Sequence, residues 1–427
     1  MHLVADLAER LREAEVRYVE ANPTSRRFHA ERARVMPGGN TRTTIHQPPF
    51  PLTILRGEGA RVTDADGHEY VDFLGEYTAG LFGHSNAAIV DAIRSALADG
   101  LVLGAPNRYD VALAEAICCR FPSIELVRFC NSGTEANLLA LSLSRAVTGR
   151  DAVLVFAGAY HGGILLFAHG ISPLNPPFTW VIGEYNNAAD TARLIEKHAS
   201  ELAAVIVEPL QGAAGLIPGD PSFLRTLRDA TAAHEVLLVF DEVMTARLSP
   251  GGRQQSLAIQ PDLTTLAKFV GGGLSFGAFG GRADLMNRFD PSRTDALQHG
   301  GTFNNDVLTM AAGAAGLTQV LTDAEITRLN CLGDRLRDRL NAFAVERSVA
   351  FRATGYGSLV GLHFTAGPVR NEDDVPEATE LRALLHLHML ERGFTYGRRG
   401  FIALSLPLTE ADIDDFAAAA EEFLLTV

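Results

Sequence analysis

Residues 1–18, MHLVADLAERLREAEVRY, set Leu3, Leu7 and Leu11 on one face among alternating charges, which predicts an amphipathic helix rather than the apolar core of a secretory signal. Asn22-Pro23 and the run Met36-Pro37-Gly38-Gly39 break that period, so no helix is expected there. Alternation around Asp66-Gly67 then predicts a β-hairpin. Ile89, Ile93 and Leu97 recur at helical spacing before Gly100, and a further helix is expected from about Asp110 to Arg120. Between about residues 126 and 280, short β-branched runs alternate with helical stretches: LVRFC, AVLVF, LAAVIVEP, VLLVFDEV and LTTLAKF. That alternation predicts an α/β unit with a mainly parallel, mixed sheet between helices. Near residue 320 the pattern changes to a long helix carrying Leu329, Leu332, Leu336 and Leu340, then short strands, an acidic loop at 371–377 and two more helices. The expected division is therefore an N-terminal segment (1–65) packing with the small domain, a large domain (66–320) and a C-terminal small α+β domain (321–427).

Composition narrows the class. At 427 residues, 47% hydrophobic and 21% charged, the chain has ample material for a buried core and is too apolar for intrinsic disorder. A formal charge of -14 argues against bulk binding to nucleic acid or anionic membrane. Residues 152–183 lack any Asp, Glu, Lys or Arg, but His161, His169, glycines and prolines interrupt them, so a buried interior with loops is expected rather than a membrane span. Cys118, Cys119, Cys130 and Cys331 are too sparse for a disulfide scaffold and fit a reducing cytoplasm. No metal site is expected: His386 and His388 are two apart on a helix and so face different ways.

Several of the strands end in a polar residue, and in open α/β sheets ligands bind outside the carboxyl ends of strands. Asn131-Ser132-Gly133-Thr134-Glu135 follows a strand and opens a helix, where free backbone N–H groups suit an anion; the Ser132/Glu135 spacing equally suits an empty capping box. Asp241 ends an apolar strand and needs a cation or hydrogen-bond donors, and its other reading is a loop cap. Lys268 lies between LTTLA and FVGGG; sequestered there, its amine would have a lowered pKa and act as a nucleophile toward aldehydes, unless it snorkels to the surface. Tyr160-His161-Gly162 and Glu208-Pro209 also follow strands. In combination, an anion cradle, an aromatic platform, a buried acid and an apolar-flanked lysine describe a pocket for pyridoxal 5'-phosphate.

With these residues in place, the sequence resembles the class III, or ω-type, aminotransferases of fold type I over nearly its whole length. TDADGHEYVDF, NSGTEAN, AYHGG, VEPLQG, FDEVMT, LAKFVGGG and GGTFNN carry the resemblance. It implies that Lys268 condenses with the cofactor aldehyde and that Asp241 partners the pyridinium nitrogen. Ser132, Gly133 and Thr134 would hold the phosphate, Tyr160 would stack on the ring, Val243 would press on the opposite face, and Glu208 would organise the site. Thr302 would reach the phosphate of the neighbouring subunit, which implies a homodimer with shared active sites. Pyridoxamine phosphate would be the cofactor's aminated form.

FDEVMTARL, NTRTTIHQPPFPLTI and RRGFIALSLPLT resemble the aminotransferases of aromatic β-amino acids such as β-phenylalanine. The resemblance implies a ping-pong transfer to a keto acid such as 2-oxoglutarate or pyruvate, with Arg42 and Arg399 receiving substrate carboxylates; Arg399, not Arg398, directly precedes the Gly-Phe of the motif. One departure stands out: the family commonly continues its Asp-Glu motif with Gly-Phe-Arg, where this chain has Ala246-Arg247-Leu248. A glutamate-1-semialdehyde aminomutase and an ω-amine transaminase share the architecture and remain alternatives. A noncatalytic cofactor-binding regulator would need a DNA-binding domain, and no basic helix-turn-helix segment precedes residue 30.

Overall fold

Five of the seven strands of the central sheet are the β-branched runs read from the sequence. The computed structural model describes residues 2–427, with side chains from Leu7 onward; Met1 and the side chain of Leu3 lie outside the described residues. The strands are β1 (Leu126–Cys130), β2 (Ala152–Phe156), β3 (Thr179–Gly183), β4 (Leu202–Val207), β5 (Leu237–Asp241), β6 (Leu263–Ala267) and β7 (Gly277–Gly281), in the spatial order β1-β7-β6-β5-β4-β2-β3. All pairs are parallel except those of β7, which runs antiparallel to both β1 and β6. The sheet is mixed and mainly parallel, as the alternation predicts.

Both faces of this sheet are covered. Val153, Val155, Ala204, Ile206 and Val239 pack on one side with the helix Gly133–Thr148, while Leu154, Phe156, Val205, Leu238 and Phe240 pack on the other with Pro221–Ala233. Alternate residues therefore bury in opposite directions, which is why the strands read as continuous apolar runs. One consequence matters for chemistry: Cys130, Phe156, Val207, Asp241 and Ala267 all end strands at the same edge, so the segments after them converge.

Three smaller sheets accompany the large one, the smallest being the two-stranded pair Leu210–Gln211 and Ile217–Pro218. Arg352–Tyr356, Leu359–His363 and Phe401–Ala403 form an antiparallel sheet, and the long helix Asp323–Arg347 packs against its first two strands. The hairpin predicted at Asp66-Gly67 joins Arg61–Asp64 to Glu69–Asp72, with Gly67 at φ +92°, and Phe394–Thr395 adds in parallel at its edge. The N-terminal helix spans His2–Ala21 and lies on Thr379–Glu391, where Arg17 Nε meets Glu391 Oε1 at 2.9 Å.

The structure corrects three readings of the chain. A second helix, Pro23–Ala33, follows Asn22 where none was expected: the proline occupies the first turn, where its missing N–H leaves no bond unmade. Strands β3 and β7 were not anticipated. The latter, GAFGG, has no β-branched residue; a Cβ at Gly277 would overlap the Ser132 carbonyl and one at Gly281 the Asp262 carbonyl. Close packing, not propensity, selects those glycines.

Candidate active site

The turn after β1 places Ser132 at the N-cap of the helix Gly133–Thr148, with its Oγ accepting from Glu135 N at 3.2 Å. Glu135 reaches back one residue further than a capping box requires, accepting from Asn131 N at 2.7 Å. The Gly133 and Thr134 N–H groups, in the first turn, have no carbonyl one turn back. A Cβ on Gly133 would come within 3.1 Å of Val243 and 3.4 Å of Ala267, so the cradle is backed by the loop after β5 and by the last residue of β6.

Thr134 Oγ1 accepts from Gly163 N at 3.2 Å, and Gly162 sits at φ +133° with no room for a Cβ beside that hydroxyl. This contact holds the loop after β2, and with it Tyr160, against the cradle. Tyr160 is 41% exposed, and its hydroxyl lies within reach of the charges of Arg42, Glu208 and Asp241. Its N–H donates to Glu208 Oε2 at 3.0 Å, while Gly212 N donates to Oε1 at 3.0 Å. Glu208 is buried, and that burial, reinforced by Asp241 and opposed by His161, pushes its pKa up to about 7.

Asp241 is only 4% exposed, and both of its oxygens are hydrogen-bonded, with one acceptor site on Oδ1 left over. Its Oδ2 accepts from His161 Nδ1 at 2.8 Å and from Asn137 Nδ2 at 2.8 Å, and its Oδ1 accepts from Val243 N at 3.0 Å. Thr265 Oγ1 in turn donates to Asn137 Oδ1 at 2.6 Å, so β6 and the helix both brace the acid. Because the carboxylate can only accept, His161 carries its proton on Nδ1, and Nε2 is buried without a partner among the described residues. Sequence reasoning passed over both supports. Asn137 closes the NSGTEAN motif one helical turn after Gly133, a spacing that points it at the same pocket.

Lys268 immediately follows β6 with φ +58°, a left-handed conformation that turns its side chain back over the strand ends. Its Nζ donates to the Tyr77 carbonyl at 2.6 Å. Burial pulls its pKa down to about 8, against the opposing pull of Asp241, Glu208 and Glu76. The amine is thus partly neutral near physiological pH.

Tyr77 belongs to a feature with no sequence signature. Gly75, Glu76, Tyr77 and Thr78 are successively left-handed, at φ +51°, +45°, +51° and +83°, a geometry that costs non-glycine residues roughly 1–2 kcal/mol each. The turn aims the Tyr77 carbonyl at Lys268 and pairs Glu76 with Arg42. Tyr77 Oη donates to the Thr44 carbonyl at 3.0 Å, and its ring lies 5.1 Å from that of Phe401. Burial raises the Tyr77 pKa, while the charges of Arg399 and then Arg42 oppose the rise, so both arginines lie within electrostatic reach of its hydroxyl. Arg398 points elsewhere and donates to the Pro48 carbonyl at 2.8 Å.

The structure therefore joins Ser132, Gly133, Thr134, Tyr160, Glu208, Asp241 and Val243 in one contact network, sets Lys268 beside it through Tyr77, and leaves Arg42 and Arg399 exposed near the Tyr77 ring. Thr302 lies apart, on an exposed loop tied to the cradle where Asn131 Nδ2 donates to Asn304 Oδ1 at 3.1 Å. Ala246, Arg247 and Leu248, the departure in the motif, are all buried. Among the described residues no group of acidic, His or Cys side chains is arranged for a metal, and no helix is long and apolar enough to cross a membrane.

This donor set suits one kind of group: an amine for an aldehyde, helix N–H donors for a phosphate, and a braced carboxylate for a ring nitrogen. The chain belongs to the class III aminotransferase family, whose model, Aminotransferase class-III, matches residues 43–408, and it is a pyridoxal phosphate-dependent transaminase of α/β fold. It is 50% identical to the β-phenylalanine transaminase of Variovorax paradoxus over 98% of this chain and 97% of that protein. A crystal structure of a β-phenylalanine aminotransferase from the same organism superimposes with a TM-score of 0.97, covering 98% of each chain. An ω-transaminase from Sphaerobacter thermophilus, 37% identical, gives a TM-score of 0.88 over 94% of this chain and 97% of that one. Glutamate-1-semialdehyde 2,1-aminomutase of Sorangium cellulosum is 36% identical over 94% of this chain and 96% of that protein.

Proposed function

We propose that the enzyme moves an amino group from an aromatic β-amino acid, β-phenylalanine-like, to a keto acid such as 2-oxoglutarate or pyruvate, in two half-reactions. The observation that carries this reading is that two arginines neighbour the turn whose Tyr77 carbonyl accepts from Lys268 Nζ: Arg42 pairs with Glu76 of that turn, and Arg399 lies two residues before Phe401, whose ring is 5.1 Å from that of Tyr77. The 50% identity to a β-phenylalanine transaminase supports the same substrate class.

In this reading Lys268 would hold the cofactor through its amine, and the same amine, placed beside the reacting carbon, would carry a proton to and from it. Its lowered pKa suits that duty, because an amine titrating near 8 both accepts and returns a proton at neutral pH. Asp241 would keep the ring nitrogen protonated, and His161 and Asn137 hold the acid in position. Ser132, Gly133 and Thr134 would hold the phosphate, and Tyr160 and Val243 would hold the ring. When bound, pyridoxal phosphate would supply the electron sink. Arg42 and Arg399 grip carboxylates through paired N–H donors. Before substrate arrives Arg42 is paired with Glu76, so binding exchanges one carboxylate for another.

The working unit in this proposal is a homodimer in which Thr302 completes the partner's phosphate site; its exposure on the GGTFNN loop supports that role. Residues 66–320 act as the cofactor domain, and 321–427 with the N-terminal segment act as the small domain. Four free cysteines suit the cytoplasm.

The test follows loss of the bound cofactor's visible absorbance with single donors: β-phenylalanine, glutamate, glutamate-1-semialdehyde and a carboxylate-free aryl amine. Bleaching by β-phenylalanine and recovery with a stoichiometric keto acid is expected. Turnover of the semialdehyde without any acceptor would establish an aminomutase instead, and preference for the carboxylate-free amine would establish an ω-amine transaminase. Arg399→Ala and Arg42→Ala should retain cofactor and lose affinity for carboxylate substrates; unchanged kinetics on every carboxylate would remove the proposed clamp.

A further inference from the structure

Arg247 stands where the family motif commonly has phenylalanine, and it is one of the largest fully buried side chains, 2% exposed. Among the described residues no carboxylate pairs with it. Its Nε donates to Ser358 Oγ at 3.0 Å, its Nη2 donates to the Leu404 carbonyl, and its buried Nη1 has no partner. Burial alone pulls its pKa down to about 9. A buried cation held only by neutral acceptors is a poor stabilising device, and a well-packed apolar side chain of similar volume is generally as stable or more so. Its placement calls for a reason other than stability.

The two ends of this side chain supply one. On its own side, Arg247 closes the turn Thr245–Arg247 directly after Asp241 and Val243. That loop is rigid: buried Glu242 accepts from Thr245 Oγ1 at 2.5 Å, from Arg253 N at 3.0 Å and from Gln254 N at 2.7 Å. On the far side, Ser358 leads into Leu359–His363, and Leu404 follows Phe401–Ala403, its paired neighbour. Leu404 N donates to the Ser358 carbonyl at 3.0 Å, so the guanidinium clasps both strands where they are already bonded to each other. The second of these strands begins one residue beyond Arg399-Gly400, in a tight turn where Gly400 N donates to the Gly397 carbonyl at 2.7 Å.

Two further contacts join the same parts. Asn330 Nδ2 donates to the Leu248 carbonyl at 2.9 Å while its Oδ1 accepts from Ser358 N at 3.1 Å, and Arg253 lies 3.9 Å over the Tyr356 ring. Of these side chains, Arg247 is the one that hydrogen-bonds Leu404, just beyond the strand that follows Arg399, beside the apolar cluster in which Met244 and Leu248 meet Phe401 and Ala403. Phenylalanine in its place has no donor for either acceptor, and lysine has no rigid fork with which to hold both.

We infer that Arg247 is a positioning residue that fixes the strand following Arg399 against the loop of Asp241 and Val243, and so sets where a substrate carboxylate lies relative to the reacting carbon. This rests on Arg399 being a carboxylate clamp. Arg247 itself touches neither cofactor nor substrate. Its effect is on how well the Arg399 fork is aligned, which a carboxylate reads in binding and which the cofactor's own attachment does not.

The experiment uses full-length, cofactor-loaded enzyme and measures single-turnover bleaching with β-phenylalanine and with glutamate in four forms: wild type, Arg399→Ala, Arg247→Met and Arg247→Lys. Arg399→Ala identifies the substrate whose carboxylate that residue holds. For that substrate, Arg247→Met should raise the half-saturating concentration about tenfold, a partial loss of a charge-assisted contact, with the limiting rate within about twofold. The visible spectrum should not change, the unfolding temperature should hold or rise, and Arg247→Lys should not restore affinity. A fall in unfolding temperature with both donors slowed alike would overturn the inference in favour of a merely structural role, as would unchanged half-saturation. If Arg399→Ala shifts neither donor, the clamp reading fails first. Should Arg247→Met fail to accumulate as folded enzyme, Ser358→Ala, which removes the Nε acceptor, decides by the same outcomes.

Discussion

Two alanine substitutions in one strand separate the cofactor cradle from the rest of the sheet. Gly277 and Gly281 are the two ends of β7, both in extended backbone and both fully buried. A Cβ at Gly277 would overlap the Ser132 carbonyl oxygen, and one at Gly281 would overlap the Asp262 carbonyl oxygen. Each lies well inside 3.0 Å, an overlap of about 1 Å relative to ordinary van der Waals contact. Neither obstacle is a flexible side chain, so the backbone must move. Overpacking of this kind costs roughly 1–3 kcal/mol, and both variants should lose stability in that range. Their effects on cofactor should differ. Gly277 backs the turn that presents the Gly133 and Thr134 N–H groups, whereas Gly281 lies at the opposite edge of the sheet beside Leu263. If the strain at Gly277 is relieved by tilting that turn, pyridoxal phosphate affinity falls by about 5- to 150-fold, at tenfold per 1.4 kcal/mol. Gly281→Ala should bind cofactor as wild type does. Equilibrium titration of cofactor-free protein by absorbance, beside thermal unfolding, reads both quantities. Equal cofactor affinity in the two variants, at similar destabilisation, would refute the assignment of the cradle to this turn.

Three other outcomes follow from the site's electrostatics and bracing. Covalent loading of cofactor-free protein should quicken as pH rises and level off above about 8, because burial has lowered the Lys268 pKa and only its neutral amine attacks; a rate that falls through that range would contradict this. Glu208 has a pKa raised to about 7, so the folded state holds its proton more tightly than the unfolded state, and stability is lost as pH climbs from about 4.5 to 7; Glu208→Gln should flatten that part of the stability profile, seen by denaturant titration at several pH values. Asp241→Asn should fold and bind cofactor yet slow the proton-transfer step at least about a hundredfold, as expected when a fixed charge aimed at the reacting group is lost, and an unchanged single-turnover rate would exclude it as the ring's partner.

Much of this architecture is legible because burial leaves a plain mark on sequence. Strands covered on both faces read as unbroken apolar runs, and a polar residue at the end of such a run stands out, which is how Asp241, Glu208 and Lys268 become candidates before any coordinates exist. Ser132 is legible in both of its readings at once: it caps its helix through Glu135 N, and the same turn leaves Gly133 and Thr134 N–H groups free. What sequence does not show is geometry made by packing. GAFGG carries no strand propensity, yet carbonyls on either side leave space for nothing larger. The left-handed turn at Glu76, Tyr77 and Thr78 has no asparagine or run of glycines to announce it, though it supplies the carbonyl that meets Lys268. His161 and Asn137 brace Asp241 from segments 24 residues apart, and no local spacing links them to an acid a further 80 residues along. Arg247 reads as an interruption in a motif until its two acceptors, Ser358 and Leu404, are seen.

The central claim is that one lysine amine, held at the ends of β5 and β6 and kept partly neutral by burial, forms the bond to pyridoxal phosphate. Reduction of the loaded enzyme with borohydride, followed by proteolysis and mass spectrometry, tests it directly. The account predicts a single stable pyridoxyl adduct on the peptide containing Lys268, absent from Lys268→Ala. An adduct on Lys197 instead, or none in enzyme that still turns over, would contradict it.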